Sequence, residues 1–311
     1  MNSESNAVSE FRAESQSLVS ATMPWGRLMY WSVRRELWEN RSIYIAPLVV
    51  TGVILLGFAF TAITLPLRMH TREELRLGAA NPPEVLAGRE AYGFASGLIM
   101  GITFIVGLFY CLDALHGERR DRSILFWKSL PVSDLTTVLS KASIPIVILP
   151  LFTFALTFIT QWIMLFLHTV ALAGSGLNAT TPGTHGLIHM QTMLLYHLVT
   201  VHILWHAPIY AWLLLVSAWA RRAPFLWAFV PPVAICIVER IVSYTTHFAA
   251  MLGYRFGGPE AYSFAFSRGM DPMMRVALGR FLAMPGLWGG LAVAAIFLAG
   301  AVRVRRYREP I

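Results

Sequence analysis

The chain has 311 residues, 56% of them hydrophobic and only 14% charged, with a formal net charge of +8. Soluble domains carry about 25% charged residues, so this composition, with a mean hydropathy of +0.57, excludes an ordinary water-soluble protein and points to an integral membrane protein. Nor does the positive charge indicate nucleic acid, because the basic residues sit in short clusters beside apolar runs and no nucleic-acid-binding motif accompanies them.

In chain order, residues 1–24 read as a polar, flexible N-terminus with no apolar core or cleavage site of a removable signal peptide. "PWGRLMYWSVRRELWENRSIY" (24–44) follows. Its Trp25, Tyr30, Trp31 and Trp38 with interleaved Arg suit a helix lying at the headgroup level, although its apolar residues form no single clean stripe. From 25 to 311 the chain reads as one membrane domain with six apolar spans, near 43–65, 93–115, 142–170, 190–220, 225–251 and 283–301. The fold class is therefore an all-α membrane protein: six transmembrane helices, an N-terminal interfacial helix and a short helix in the second connection.

Arg and Lys beside the spans set the orientation. Arg34, Arg35 and Arg41, then Arg119, Arg120, Arg122, Lys128 and Lys141, then Arg221, Arg222 and the tail "RVRRYR" fall on one side. That side is expected to be cytoplasmic and to hold both termini and loop 116–141, in a bacterial-type inner membrane. The substantial loops 66–92 and 252–282 then lie outside, as short helices across the outer mouth. Cys111 and Cys236 both fall within spans, which argues against a disulfide or zinc site.

The stretch "GERRDRSILFWKSLPVSD" (117–134) places bulky aromatics in a short connection between spans. Pro131 limits any helix in it to two or three turns. On that helix Phe126, Trp127 and Leu130 share a face with Ser123, while Ile124 and Leu125 point elsewhere. A helix so short and so apolar requires a burial partner. The mixed charges of Glu118, Arg119 and Asp121 suit a protein-docking epitope better than an anionic bilayer surface, with Glu118 as a rim charge. Beyond Pro131, Ser133 reads as the N-cap of the third span and Asp134 as a favourable first-turn acid.

These residues resemble the cytoplasmic loop of type-2 permeases of ATP-binding-cassette (ABC) transporters. That loop reads as an acidic–basic pair, a small polar residue, apolar residues, Pro and a later Lys; here Glu118, Arg119, Ser123, Ile124, Leu125, Pro131 and Lys141 hold those places. The six-span layout and N-terminal interfacial helix also match, whereas Arg122 and Ser123 stand where many members have Gly and Thr. The resemblance implies that residues 119–130 form a coupling helix seated in a separate ATPase subunit. Glu118, Arg119, Ser123, Ile124, Leu125, Phe126, Trp127 and Leu130 would then carry docking.

No catalytic or metal-ligating set is expected in this chain. Its only lysines, Lys128 and Lys141, follow no Gly-rich turn of a phosphate-binding loop, so ATP and Mg would bind a partner subunit. Six spans suggest half a pathway, and hence a homodimer in membrane lipid. The function this implies is the membrane subunit of an exporter for an amphipathic or lipid-like substrate. Glu239 and Arg240, near the middle of the fifth predicted span, and His202 and His206, four apart on the fourth, are candidates for the substrate pathway. His185, His189 and His197 lie nearby on the same segment. The same histidines with Glu239 sustain the alternative of an intramembrane metalloenzyme, and a non-transporting scaffold or sensor is a third reading.

Overall fold

In the computed structural model the structure describes residues 24–76, 84–121, 133–173, 184–258 and 279–307. Every regular element among them is helical. Helix α1 is Trp25–Glu39, α2 is Ser42–Arg76, α3 is Glu84–Ala114 and the one-turn α4 is His116–Arg120. Helix α5, Asp134–Ser143, runs through a π-helical turn at Ile144–Ile148 into α6, Leu149–Ala173. Helix α7, Thr184–His197, continues through π-helical Leu198–Trp205 into α8, Ala207–Trp219. Helices α9, Pro224–Val242, α10, His247–Gly257, and α11, Pro285–Tyr307, are the last of the described elements.

Among the described residues, six helical segments are long and apolar enough to cross a membrane: Ser42–Thr64, Ala91–Arg120, Asp134–Ala171, Gly186–Trp205, Pro224–Val242 and Pro285–Tyr307. A span of this kind satisfies all its backbone groups internally, which lipid demands. All six overlap the spans read from the sequence, the first to within one residue at each end, while the others differ by five or more residues at one end. The fourth span ends at Trp205 instead of running on to 220, and α8 follows it as a separate, shorter apolar helix. The N–H of His206 reaches back five residues to the Val201 carbonyl at 3.0 Å, and Pro208 supplies no N–H at the start of α8. The π turn at Ile144–Ile148 likewise surrounds Pro145.

The fifth span is a further correction. It ends at Val242 instead of running on to 251, and the chain turns through 243–246, with Tyr244 at φ 53°, into α10. Helix α9 passes unbroken through Pro231 and Pro232, so those prolines do not end it. The predicted outer loops are shorter than expected as well, since α2 extends to Arg76 and α3 starts at Glu84. The segments 77–83 and 259–278 lie outside the described residues.

Helix α11 packs most extensively on α8, and α2, α3 and α6 pack on one another. The largest buried cluster joins Ile43, Tyr110, Cys111, Ile144, Leu149, Tyr210 and Leu214. Beside it Gly107 makes a close crossing, because a Cβ there would lie 3.1 Å from Leu149 Cδ1 and that side chain would have to shift by a few tenths of an ångström. Small residues at such crossings let membrane helices approach closely, where dispersion replaces the hydrophobic effect as the attraction. Helix α1 is separated from α2 by Asn40 and Arg41, and Val33 and Leu37 turn it onto the same cluster beside α5. It carries Trp25, Tyr30, Trp31 and Trp38 on its exposed side. Both stems of loop 122–132 thereby meet α1 and the end of α11.

Candidate functional site

Charged side chains converge where α1, α4, α5 and α11 meet. Glu36, fully buried, projects from α1 with Val33 and Leu37, the residues that pin this helix to the core. Its Oε1 accepts from Lys141 Nζ at 2.9 Å and Arg35 Nη2 at 2.8 Å, and its Oε2 from the Tyr110 hydroxyl at 2.9 Å. Lys141, on the buried face of α5, spans two carboxylates, for its Nζ also lies 3.1 Å from Glu118 Oε1. Glu118 on α4 meets Arg35 at 3.3 Å through the same oxygen, and Arg305 Nη1 at 2.5 Å through the other. Arg305, from the last turns of α11, closes the lattice by donating through Nε to Asp134 Oδ1 at 3.0 Å.

Four elements are thus held by one alternation of charge, from Arg35 and Lys141 through Glu36 and Glu118 to Arg305 and Asp134. Isolated buried charges are strongly unfavourable, and only dense mutual pairing with hydrogen bonds makes such a group tolerable. Burial raises the Glu36 carboxyl pKa. Lys141 and Arg35, by charge and hydrogen bonding, outweigh burial and hold it below its ordinary value of 4.5. The Arg35 contact to Glu39, at 3.5 Å with Glu39 half exposed, adds little beside these.

The residues just before 122–132 are fastened on their other side to the end of α8. Ser217 Oγ accepts from the N–H groups of Leu115 and His116 at 3.0 and 2.9 Å. Arg119 Nη1 donates to the carbonyls of Ala218 at 2.8 Å and Ala220 at 3.2 Å, while His116 Nδ1 lies 3.2 Å from the Ala220 oxygen. A cation on the last carbonyls of a helix answers both their unmet hydrogen bonds and the negative end of the dipole. At the far end of the loop, Ser133 caps α5 by accepting from the Thr136 N–H at 3.1 Å, as its sequence position suggests, and Asp134 opens the first turn.

Of the residues singled out in the sequence, Glu118 and Arg119 are 8% and 3% exposed and bonded within the chain. Ser123, Ile124, Leu125, Phe126, Trp127 and Leu130 lie outside the described residues. Lys141, the last position of the loop motif, stands against Glu118, the first. Sequence reasoning missed Glu36, Tyr110 and Arg305 as site residues. A usable sign existed for two of them: Glu36 interrupts the apolar face of Val33 and Leu37, and Arg305 continues the buried face of Leu298 and Ala301.

The proposed intramembrane set is not brought together. Glu239 lies in the last turn of α9, not mid-span, and serves the turn that follows. Its carboxylate accepts from Thr245 Oγ1 at 2.9 Å and from the N–H groups of His247 and Phe248 at 2.8 and 2.9 Å, at the positive end of α10. Arg240 is exposed and donates to the Tyr244 carbonyl at 3.3 Å. His202 and His206 do adjoin, with ring centroids 6.0 Å apart. Their partners are the Tyr210 hydroxyl, 3.0 Å from His202 Nε2, and the Phe256 carbonyl, 3.4 Å from His206 Nε2. Among the described residues no three His, Cys, Asp or Glu side chains converge as a metal site would require.

No protein-family model, curated protein or solved structure matches this chain. What its chemistry offers is therefore read from the site itself. The lattice joins the residues on both sides of 122–132 to α1 and to the end of α11.

Proposed function

We propose that this chain is the membrane subunit of an ABC-type exporter, driven by a separate ATPase subunit that docks on loop 122–132. The observation that carries this reading is the Glu36–Lys141–Glu118–Arg305 lattice, which ties both stems of that loop to α1 and to the last span. A loop fixed in this way transmits displacement, because buried paired charges and packed helices rearrange as units instead of yielding continuously.

In this reading Phe126, Trp127 and Leu130 form the apolar plug on one face with Ser123, and Ile124 and Leu125 add contact area. Aromatic anchors dominate such interfaces. Glu118 and Arg119 act differently from an exposed docking pair: they are positioning residues that hold the stem on Lys141, Arg305 and the carbonyls of Ala218 and Ala220. ATP and Mg bind the partner. Helix α1 lies along the inner leaflet surface with Trp25, Trp31 and Trp38 at the headgroups, both termini face the cytoplasm, and two copies enclose the path of an amphipathic or lipid-like substrate.

The test is affinity purification from native membranes in mild detergent, with ATPase activity as readout. Phe126→Asp is expected to lose an ATP-hydrolysing subunit that the wild-type chain retains, with unchanged membrane yield and melting temperature. Retention of that subunit with full activity would remove the loop from the interface.

A further inference from the structure

The bundle of α2, α3, α6 and α7 is built with its polar side inward. Helix α6 turns Leu151, Phe158, Ile159 and Phe166 outward. Its buried face instead carries Thr153, Thr157, Thr160 and Gln161, each no more than 2% exposed. Polar groups in membrane helices face protein or enclosed water because hydrocarbon offers no hydrogen bonds.

Part of this face is self-satisfied. Gln161 Nε2 donates to the Tyr92 carbonyl at 3.2 Å, and Gln191 Nε2 donates to Gln161 Oε1 at 2.6 Å. That order fixes both amides, since reversing either would set oxygen against oxygen. The relay consequently ends on Gln191 Oε1, a buried acceptor with no donor. The Tyr92 hydroxyl, the hydroxyls of Thr51 and Thr157, and His168 Nδ1 are likewise buried without a partner. Tyr92 and Thr157 are fully buried and Thr51 and Gln191 are each 6% exposed. The threonines are the telling case. Thr103, Thr153, Thr160 and Thr200 all donate to the carbonyl four residues earlier, at 2.6–2.8 Å, whereas Thr51 and Thr157 forgo that ready partner.

Tyr92, Gln191 and His168 share neighbours in one seam, the Gln161 amide linking the first two. Phe58 lies edge-on to both Tyr92 and His168, with centroids 6.0 and 6.4 Å away. Ile54, Leu55, Phe58, Tyr92, Met164, Leu187 and Met190 pack as one cluster around it. Buried polar groups of this kind ordinarily find ordered water.

We infer that the α2–α3–α6–α7 bundle holds internal water, with ordered waters donating to Gln191 Oε1 and bonding the buried hydroxyls of Tyr92, Thr157 and Thr51. The inference is independent of transport and of any partner.

Two measurements on the full chain in nanodiscs test it. Pulsed X-ray radiolysis generates hydroxyl radicals from bound water, and these oxidise only neighbouring side chains. Met164, 1% exposed and within the seam, is expected to oxidise several-fold faster than Cys111, equally buried in the apolar cluster. Thr157→Val and Tyr92→Phe, which keep shape and remove a hydroxyl, are each expected to lower the melting temperature by removing water-mediated bonds. A dry seam gives the opposite sign, since deleting an unpaired buried hydroxyl relieves its desolvation. Protection of Met164 equal to that of Cys111, or unchanged or raised melting temperatures in both variants, overturns the inference.

Discussion

Replacing Lys141 by Met tests whether the buried lattice holds the loop stems together. Met keeps most of the side-chain volume, so the change is principally the loss of one positive charge that is 2% exposed and touches two carboxylates at 2.9 and 3.1 Å. Breaking a buried ion pair by removing one partner is destabilising by about 3–5 kcal/mol, because the remaining charge stays in the interior. Here Glu36 keeps Arg35 and Tyr110, and Glu118 keeps Arg305 and Arg35, which puts the loss near the lower end, about 3 kcal/mol. At roughly 2–4 °C per kcal/mol for a chain of this order of size, the midpoint of thermal unfolding in detergent falls by about 6–12 °C. Removing the excess negative charge as well should restore part of the loss. Glu36→Gln with Lys141→Met is therefore expected to melt higher than the sum of the single changes, with a coupling of about 1–3 kcal/mol. A Lys141→Met protein that melts within about 1 °C of wild type would show that the lattice contributes nothing to holding these helices.

The same lattice predicts acid sensitivity. A carboxyl whose folded pKa is depressed contributes stability above its unfolded pKa, ordinarily 4.5, and loses it as pH falls through the lower folded value. Melting curves from pH 7 to 3 should therefore show wild type losing stability below about pH 4.5 more steeply than Glu36→Gln; parallel curves would refute this. Glu239→Ala should leave the spans intact but speed hydrogen exchange at the amides of His247 and Phe248, which donate to its carboxylate, and unchanged exchange there would contradict the turn-capping role. For orientation, Ala80→Cys should react with a membrane-impermeant thiol reagent on intact cells and Ser129→Cys should not, in a background with Cys111 and Cys236 replaced by Ala; the reverse pattern would invert the proposed topology.

The spans were legible because length and hydropathy act locally: an apolar run of about 20 residues has few other uses. The end of the fifth span was not, since "TTHFAAML" continues the apolar composition past Val242. What stops the helix is Glu239 reaching forward to the amides of His247 and Phe248, a capping contact that hydropathy does not register. The π turns at Ile144–Ile148 and Leu198–Trp205 were invisible for a similar reason, although Pro145 and Pro208 marked the neighbourhood. In the site, Glu118 and Lys141 stood out through the loop's resemblance to a permease motif, yet their inward orientation did not. Partners such as Arg305 and Glu118 are 187 residues apart, and Lys141 and Glu36 are 105 apart. No local pattern pairs residues at such distances. The usable rule is positional: a charged residue on the apolar face of a helix, as Glu36 is on α1, calls for a buried partner elsewhere.

The most direct test of the central proposal is photo-crosslinking in native membranes from a benzophenone side chain substituted for Trp127. Docking on an ATPase predicts a single major adduct to a soluble subunit that carries a Gly-rich phosphate-binding loop, diminished by Phe126→Asp in the same chain. Adducts confined to lipid would instead make the loop a membrane-surface anchor and contradict the proposed coupling to ATP hydrolysis.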